Sequence, residues 1–178
     1  ICPGLMAVAP GCFMQEIADA SLLWGQLLMV DYKFTGDLDF LRQWYPIAKG
    51  IAAHFAGYAR PDGLLSGVTD KWNLVDWPEN LRDNYDFALT KPIGPGVHCV
   101  INALYIGALK TLEQIEQLLG IPSSVNWHPI ANAFVRAFYR PEQKRFADSE
   151  TSNHCSLHAN IYTLYFQLAP ADAIQAVA

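Results

Sequence analysis

Residues 19–58 read DASLLWGQLLMVDYKFTGDLDFLRQWYPIAKGIAAHFAGY, and the alternation inside this stretch decides the architecture. In its first half, Leu22, Leu23, Trp24, Leu27, Leu28, Met29 and Val30 cover nearly the whole circumference of a helix expected from about Asp19 to Thr35. A helix that is apolar all round must be enclosed by protein on all sides. Asp19 suits its N-cap or first turn, and Gly36 stops it, since glycine adopts left-handed backbone without a Cβ clash. The second half, from about Asp37 to Tyr58, behaves differently. Leu38, Leu41, Tyr45 and Ile51 alternate with Arg42, Gln43, Lys49 and His54, so this helix has a wet face. Asp37 and Asp39 complement the positive end of its dipole. Pro46 lies inside it and is expected to kink or break it, because proline removes an N–H and crowds the preceding turn.

Outward from this pair the alternation continues. A third helix is expected from about Val97 to Leu119, closed by Gly120, with an apolar first half and a wet far end at Glu113, Gln114, Glu116 and Gln117. A fourth, from Ser123 or Ser124 to about Tyr139, carries one apolar stripe through Ile130, Phe134, Ala137 and Phe138. A fifth, from about His154 to Leu168, is again apolar all round. Enclosed and half-wet helices in alternation imply an all-α fold in two rings, with inner helices touching protein everywhere and outer helices showing one face to water. Short links follow the inner helices; long segments, 59–96 and 140–153, follow the outer ones. With antiparallel neighbours, all long segments fall at the end that holds the N-termini of the inner helices, and long loops in compact domains are usually functional. Inner helices begin near 19, 97 and 154, an uneven spacing that excludes a tetratricopeptide or HEAT array with its fixed period of roughly 34–47 residues.

Twelve Lys and Arg stand against 17 Asp and Glu in 178 residues, a formal net charge of −5. That balance argues against a nucleic-acid or anionic-membrane surface, which needs clustered basic residues. A hydrophobic fraction of 52% excludes disorder, while 16% charged residues is low for a surface that stays soluble alone. A piece of a larger apolar body has this composition. Ile1 opens the chain without a basic leader, and 170–178 reads as the start of a further helix, so both ends are expected to continue into a longer polypeptide. No apolar run reaches the roughly 18 residues of a membrane span. Cys2, Cys12, Cys99 and Cys155 show no zinc-ligand spacing and nothing that demands a disulfide.

The segment 59–96 is the richest in chemistry. It holds Asp62, Asp70, Asp76, Glu79, Asp83 and Asp86, with Trp72, Trp77, Tyr85 and Phe87 interleaved. Aromatic faces beside carboxylates suit a sugar, whose C–H face stacks while acids bind hydroxyls or move protons. The competing interpretation is a surface loop whose aromatics pack back onto the helices. His154 and His158, four apart at the expected mouth of the fifth helix, share one face. They lack a third metal ligand and the H-E-x-x-H pattern, so His154 reads as a substrate contact and His158 as a core histidine. Asp19 opens the first inner helix and reads as a cap or a pocket residue. There is no nucleophile elbow, phosphate loop or dinucleotide fingerprint, and no cofactor or metal is expected.

IADASLLWGQLLMVDYKFTGDLDFLRQWYP, PDGLLSG, LVDWPENLRDNYDF, NALYIGALKTLEQIEQLLG and SNHCSLHANIYTLYFQLAP occur in an order that resembles the catalytic domain of bacterial α-L-rhamnosidases, which are six-hairpin glycosidases. The resemblance covers nearly the whole chain and implies an (α/α)6 barrel of twelve helices, of which residues 1–178 form roughly the middle half. It implies an inverting hydrolase acting on terminal L-rhamnose, with two carboxyls roughly 6.5–9.5 Å apart. The family's general acid lies in a D-E-R-x-G-W-x-G-D-like motif before the region matching Ile1, and its base in a W-E-like motif after the region ending at Ala178. Neither motif occurs here, so no catalytic carboxylate is expected within the chain; Asp76 and Glu79 are the fallback candidates. Asp76 and Trp77 match the family's D-W pair and are expected to bind the sugar, with Asp19 and His154 matching helix-mouth positions. The expected partners are a carbohydrate substrate and the rest of the same polypeptide, which completes the barrel. Another glycosidase of this barrel, glucosidase-like, and a non-catalytic carbohydrate-binding or scaffold domain remain the alternatives.

Overall fold

The computed structural model describes residues 17–68, 96–171 and 173–177. They form helices α1 (Ala18–Thr35), α2 (Leu38–Ala56), α3 (Cys99–Leu118), α4 (His128–Phe138), α5 (Leu157–Tyr165) and the short α6 (Ile174–Val177). The only strands among the described residues are β1 (Tyr139–Arg140) and β2 (Arg145–Phe146), an antiparallel hairpin. α3 is the hub. It packs against α1, α2, α4 and α5, and its Ile101, Leu104, Ile106 and Leu112 are fully buried.

Side-chain bonds fix the helix directions. Gln26 of α1 donates to the Gly107 carbonyl (3.4 Å) and to the Thr111 hydroxyl of α3. Lys110 of α3 donates to the Phe166 carbonyl just past α5 at 2.6 Å. The starts of α3 and α5 also meet, at Asp148, whose carbonyl accepts the Cys99 N–H and whose carboxylate accepts the Ser156 N–H, so α3 and α5 run parallel. α1 turns back into α2 through the two-residue link Gly36–Asp37 and so runs with α3. α2 runs against them: its Tyr45 hydroxyl donates at 2.9 Å to Glu116, near the far end of α3. Glu116 is buried and also accepts the Ser124 amide (2.8 Å) and hydroxyl, tying α2, α3 and the approach to α4 together. Burial alone would raise this carboxyl, but the Ser124 and Tyr45 bonds outweigh it and hold it below its ordinary value.

The inner helices α3 and α5 begin in the same way. Asn102 lies four residues after the N-cap His98, and Asn160 four after the N-cap Ser156. Each carboxamide donates to its own N-cap carbonyl, at 2.9 and 2.8 Å. Each also grips both backbone groups of one residue in the preceding long segment, Leu65 for Asn102 (2.7 and 3.1 Å) and Phe146 for Asn160 (2.9 and 3.1 Å). A side-chain amide thus replaces a strand neighbour, satisfying buried backbone groups that would cost about 1–3 kcal/mol each if left unpaired.

Several expectations change. Pro46 does not break α2, which runs unbroken from Leu38 to Ala56. Leu41 before the proline and Ala48, Ile51, Ala52 and Phe55 after it are all buried, so packing anchors both halves. α4 starts at His128, not at Ser123 or Ser124. Ser124 is held by Glu116, and Pro129 sits in the first turn, where its missing N–H costs nothing. α5 starts at Leu157, so His154 is not on it and shares no helix face with His158. The fifth helix also ends early, at Tyr165, with Gln167 in left-handed backbone. Only the first half of α3, residues 99–107, is buried all round, and its far end exposes Gln114, Gln117 and Leu118. α1 exposes Leu27 (66%) and Phe34 (88%), and α5 exposes Leu157 (69%) and Tyr165 (61%).

Candidate functional site at the N-termini of the inner helices

Because α1, α3 and α5 are parallel, Asp19, His98 and Ser156 lie at one end of the molecule. The described parts of the long segments, 59–68, 96–98 and 140–153, lie there as well. Gly67 donates its N–H to the Gly96 carbonyl at 2.9 Å, His98 bridges Ser149, and the Cys99 N–H reaches the Asp148 carbonyl at 2.9 Å.

Asp148 organises the segment between β2 and α5. Its carboxylate is buried, with only 3% side-chain exposure, and accepts the Ser156 N–H on Oδ1 at 2.9 Å. Its other oxygen pairs with His154 Nδ1 at 2.5 Å. Its N–H donates to the His154 carbonyl at 2.9 Å, and the His154 N–H donates to the Ser152 hydroxyl at 2.9 Å. The loop captures His154 by these bonds, and α5 can begin only after Ser156, whose hydroxyl caps the Ala159 N–H. Arg140 closes the loop from behind, donating from Nη2 to the carbonyls of Ser149, Glu150 and Ser152 and from Nη1 to Ala137.

A charged bridge joins the two long segments. Arg60 holds Asp62 (2.9 and 2.7 Å) and Glu150 (2.8 and 2.5 Å) through paired bonds. These carboxylates raise the guanidinium's pKa further, and Arg60 in turn keeps the Asp62 carboxyl below its ordinary value. Beside this bridge lies an open cavity of about 180 Å³ that Arg136 and Ala137 also line. A larger one, about 290 Å³, lies between α2, α3 and α4, over Ala52, Tyr105 and Leu109.

Asp19 is not the N-cap of α1; Ile17 is, without a side-chain bond. Asp19 sits in the first turn, half-buried, accepting the Ala20 N–H at 2.9 Å. Loss of water raises its carboxyl above the usual range, although backbone N–H groups pull the other way. Burial raises the Tyr162 phenol, and the nearby Asp19 charge raises it further. A carboxyl and a phenol side by side at a helix mouth offer the hydrogen-bonding groups that a hydroxyl-bearing ligand can use.

Of the sequence-predicted site residues, Asp19 and His154 thus lie at the same end but in different local networks, one at the mouth of α1 and the other in the loop before α5. Asp76, Trp77 and Glu79 fall outside the described residues. Sequence reasoning missed Asp148 and Arg140. Asp148 stands six residues before His154 in a run of Asp, Ser, Glu and Asn that reads only as loop. Cys99 (buried) and Cys155 (half-buried) are both free, and burial raises both thiols. Among the described residues no group of three His, Cys, Asp or Glu is placed to hold a metal, and no helix is long and apolar enough to cross a membrane.

Parallel α1, α3 and α5, with α2 running against them and the described parts of the long segments at one end, have the arrangement of part of a helical-hairpin barrel. The family model for the bacterial alpha-L-rhamnosidase six-hairpin glycosidase domain matches residues 4–178, and the chain belongs to that family. Among solved structures, the chain resembles the GH78 family rhamnosidase of Bacillus sp. GL1 with a TM-score of 0.77 and 17% identity, over 95% of this chain and 18% of that one. It resembles a rhamnosidase from Klebsiella oxytoca with rhamnose bound (TM-score 0.74, 13% identity, 98% of this chain and 33% of that one). It also resembles the Streptomyces avermitilis alpha-L-rhamnosidase complexed with L-rhamnose (TM-score 0.65, 16% identity, 99% of this chain and 16% of that one). The chain therefore spans a third or less of each solved chain. At these identities the likeness shows the fold. No curated protein matches the sequence.

Proposed function

We propose that the protein carrying this chain is an α-L-rhamnosidase that removes terminal L-rhamnose with inversion, and that residues 1–178 form roughly the middle half of its (α/α)6 barrel. The observation that carries this reading is the family match over residues 4–178. In this reading the remaining hairpins come from the rest of the same polypeptide. The general acid and base come from segments outside these residues, because the family's two carboxylate motifs do not occur in them. Asp76 and Trp77 bind the sugar, and Asp19 and His154 contribute from the mouths of the inner helices.

The test is hydrolysis of an aryl α-L-rhamnoside and an aryl β-D-glucoside by the full-length protein, with the anomer of the first product read by NMR. Turnover of the rhamnoside with β-L-rhamnose released first is expected. Preference for the glucoside would give the glucosidase alternative, and binding without turnover the non-catalytic one. The isolated chain is expected to turn over neither substrate, since each missing proton transfer contributes roughly 10²–10⁴-fold. Rhamnoside turnover by the pure 178-residue chain would overturn this and return Asp76 and Glu79 to catalytic roles.

A further inference from the structure

We propose that the cavity of about 290 Å³ between α2, α3 and α4 binds a small, elongated hydroxy acid. Lys49 takes its carboxylate, Tyr105 takes its hydroxyl, and the apolar walls take its body. This site does not depend on the rhamnosidase reading.

Tyr105 carries the argument. It keeps 4% exposure and lines the cavity. Among the described residues its hydroxyl has no hydrogen-bond partner, yet it is not one of the sealed-off polar atoms. The phenol therefore opens onto the cavity. Burial pushes its pKa up, so at neutral pH it presents an O–H that can both donate and accept. A buried hydroxyl without a partner is destabilising, and a ligand that supplies the partner offsets that loss.

The walls leave room for such a ligand. α2 contributes Ala52, Ala53 and Ala56, which present nothing larger than a methyl group. Leu109 and Leu112 of α3 and Ile130 of α4 supply the rest of the apolar surface. Lys49 is the one charged side chain among the lining residues. Its Nζ stands 6.0 Å from the centre of the Tyr45 ring, and among the described residues no carboxylate pairs with it. Glu116 does not line the cavity; it is enclosed, and its carboxylate is taken up by Tyr45 and Ser124. An anion entering here meets the Lys49 ammonium.

Helix geometry sets the spacing. α2 runs against α3 with Tyr45 paired to Glu116, so Lys49, one turn further on, is level with Leu112. Tyr105 lies seven residues nearer the start of α3, roughly 10 Å along the axis. A molecule that reaches both is elongated, apolar in the middle and polar at its tips. None of the exposed stripe residues of α1 and α5 lines this cavity, so it is separate from the surfaces they leave for the rest of the polypeptide.

The test is calorimetric titration of the full-length protein, in saturating L-rhamnose, with para-coumarate as the aromatic probe and ω-hydroxyoctanoate as the aliphatic one. Saturable binding of at least one, with Kd of about 1 mM or below, is expected, and the preferred probe identifies the body that fits. Lys49→Gln should weaken that probe roughly tenfold. Tyr105→Phe should weaken it by roughly two- to tenfold, while cinnamate or octanoate, which lack the hydroxyl, should bind Tyr105→Phe and wild type alike. Ala53 is exposed at the rim, so Ala53→Leu should fill the cavity and abolish binding with helix content and Tm close to wild type. Absence of saturable binding of both probes to the wild type up to about 10 mM would overturn the proposal. Equal affinities in wild type, Lys49→Gln and Ala53→Leu would overturn it as well, by placing the bound probe elsewhere. Both of these variants lie on the exposed side of α2, so they decide the matter even if Tyr105→Phe fails to fold.

Discussion

His98 shows how one buried side chain makes the fold sensitive to acid. Its Nδ1 accepts the Val100 N–H at 3.1 Å as the N-cap of α3, which requires a neutral ring, and burial pushes its pKa from 6.5 down to about 3. A depressed histidine pKa means that the unfolded chain takes up the proton first as pH falls. The stabilising contribution is complete above pH 6.5 and is lost between 6.5 and about 3. The slope approaches about 1.4 kcal/mol per pH unit inside that window. His98→Asn keeps a good capping acceptor without the titration, so melting temperature should fall less steeply with pH in that variant; parallel profiles would show that another group controls the acid limb. Trp77 offers a second measurement at this scale. If its indole stacks on the sugar, worth about 0.5–1.5 kcal/mol beyond burial, Trp77→Ala should raise KM up to roughly tenfold with little change in Tm. If it is a core plug, truncation should instead cost about 3–5 kcal/mol of stability with kcat/KM per folded molecule unchanged.

Helix packing around α3 depends on where a side chain is missing. Gly107 sits at the middle of α3, and a Cβ there would lie 2.2 Å from the Phe166 ring. Phe166 stacks on Tyr162 (centroids 6.1 Å apart, planes 14° apart), so the ring has neighbours on both sides. In an open helix Gly→Ala gains about 1 kcal/mol from propensity. Here overpacking works against that gain, at about 1–3 kcal/mol, so Gly107→Ala should destabilise the fold. A Tm equal to or above wild type would show that Phe166 can move aside. The start of α5 belongs to the same scale. Periodicity carried the helix back to His154, but Asp148 and Ser152 hold that residue in the loop and Ser156 takes the cap.

For the molecule as a whole, the unfilled surfaces are as informative as the core. Leu27, Val30 and Phe34 form an exposed stripe on α1, and Leu157, Ile161 and Tyr165 form another on α5. Stripes of this kind on the two helices flanking the hub are what neighbouring inner helices of a closed ring would cover. The isolated chain should therefore bind a hydrophobic dye and self-associate. Replacing Leu27 and Phe34 together by Ser should reduce dye binding while leaving its helix content intact. In the full-length protein the same pair should lower stability by about 1.5–3 kcal/mol per side chain, the worth of burying each. An unchanged full-length Tm would mean that nothing packs on this face of α1.

The buried first half of α3, the one-sided faces of α2 and α4 and the left-handed stop at Gly36 were legible residue by residue, because apolar period and stop signals are local properties of the chain, whereas α1 and α5 were expected to be enclosed and leave apolar stripes exposed. Parity of direction then sent the described parts of the long segments to one end, and with them Asp19 and His154. What the sequence did not reveal depends on contacts through space. Asp148 closes on His154 only because the loop turns back under Arg140, and the Asn102 and Asn160 bridges join helix starts to backbone 37 and 14 residues away. Pro46 passed as an interruption until the burial on both sides of it showed a continuous helix. Local periodicity measures which face of a segment avoids water, whereas caps, carboxylate partners and loop registers are set by whichever distant group arrives to satisfy a buried hydrogen bond, and only the packed chain brings those groups together.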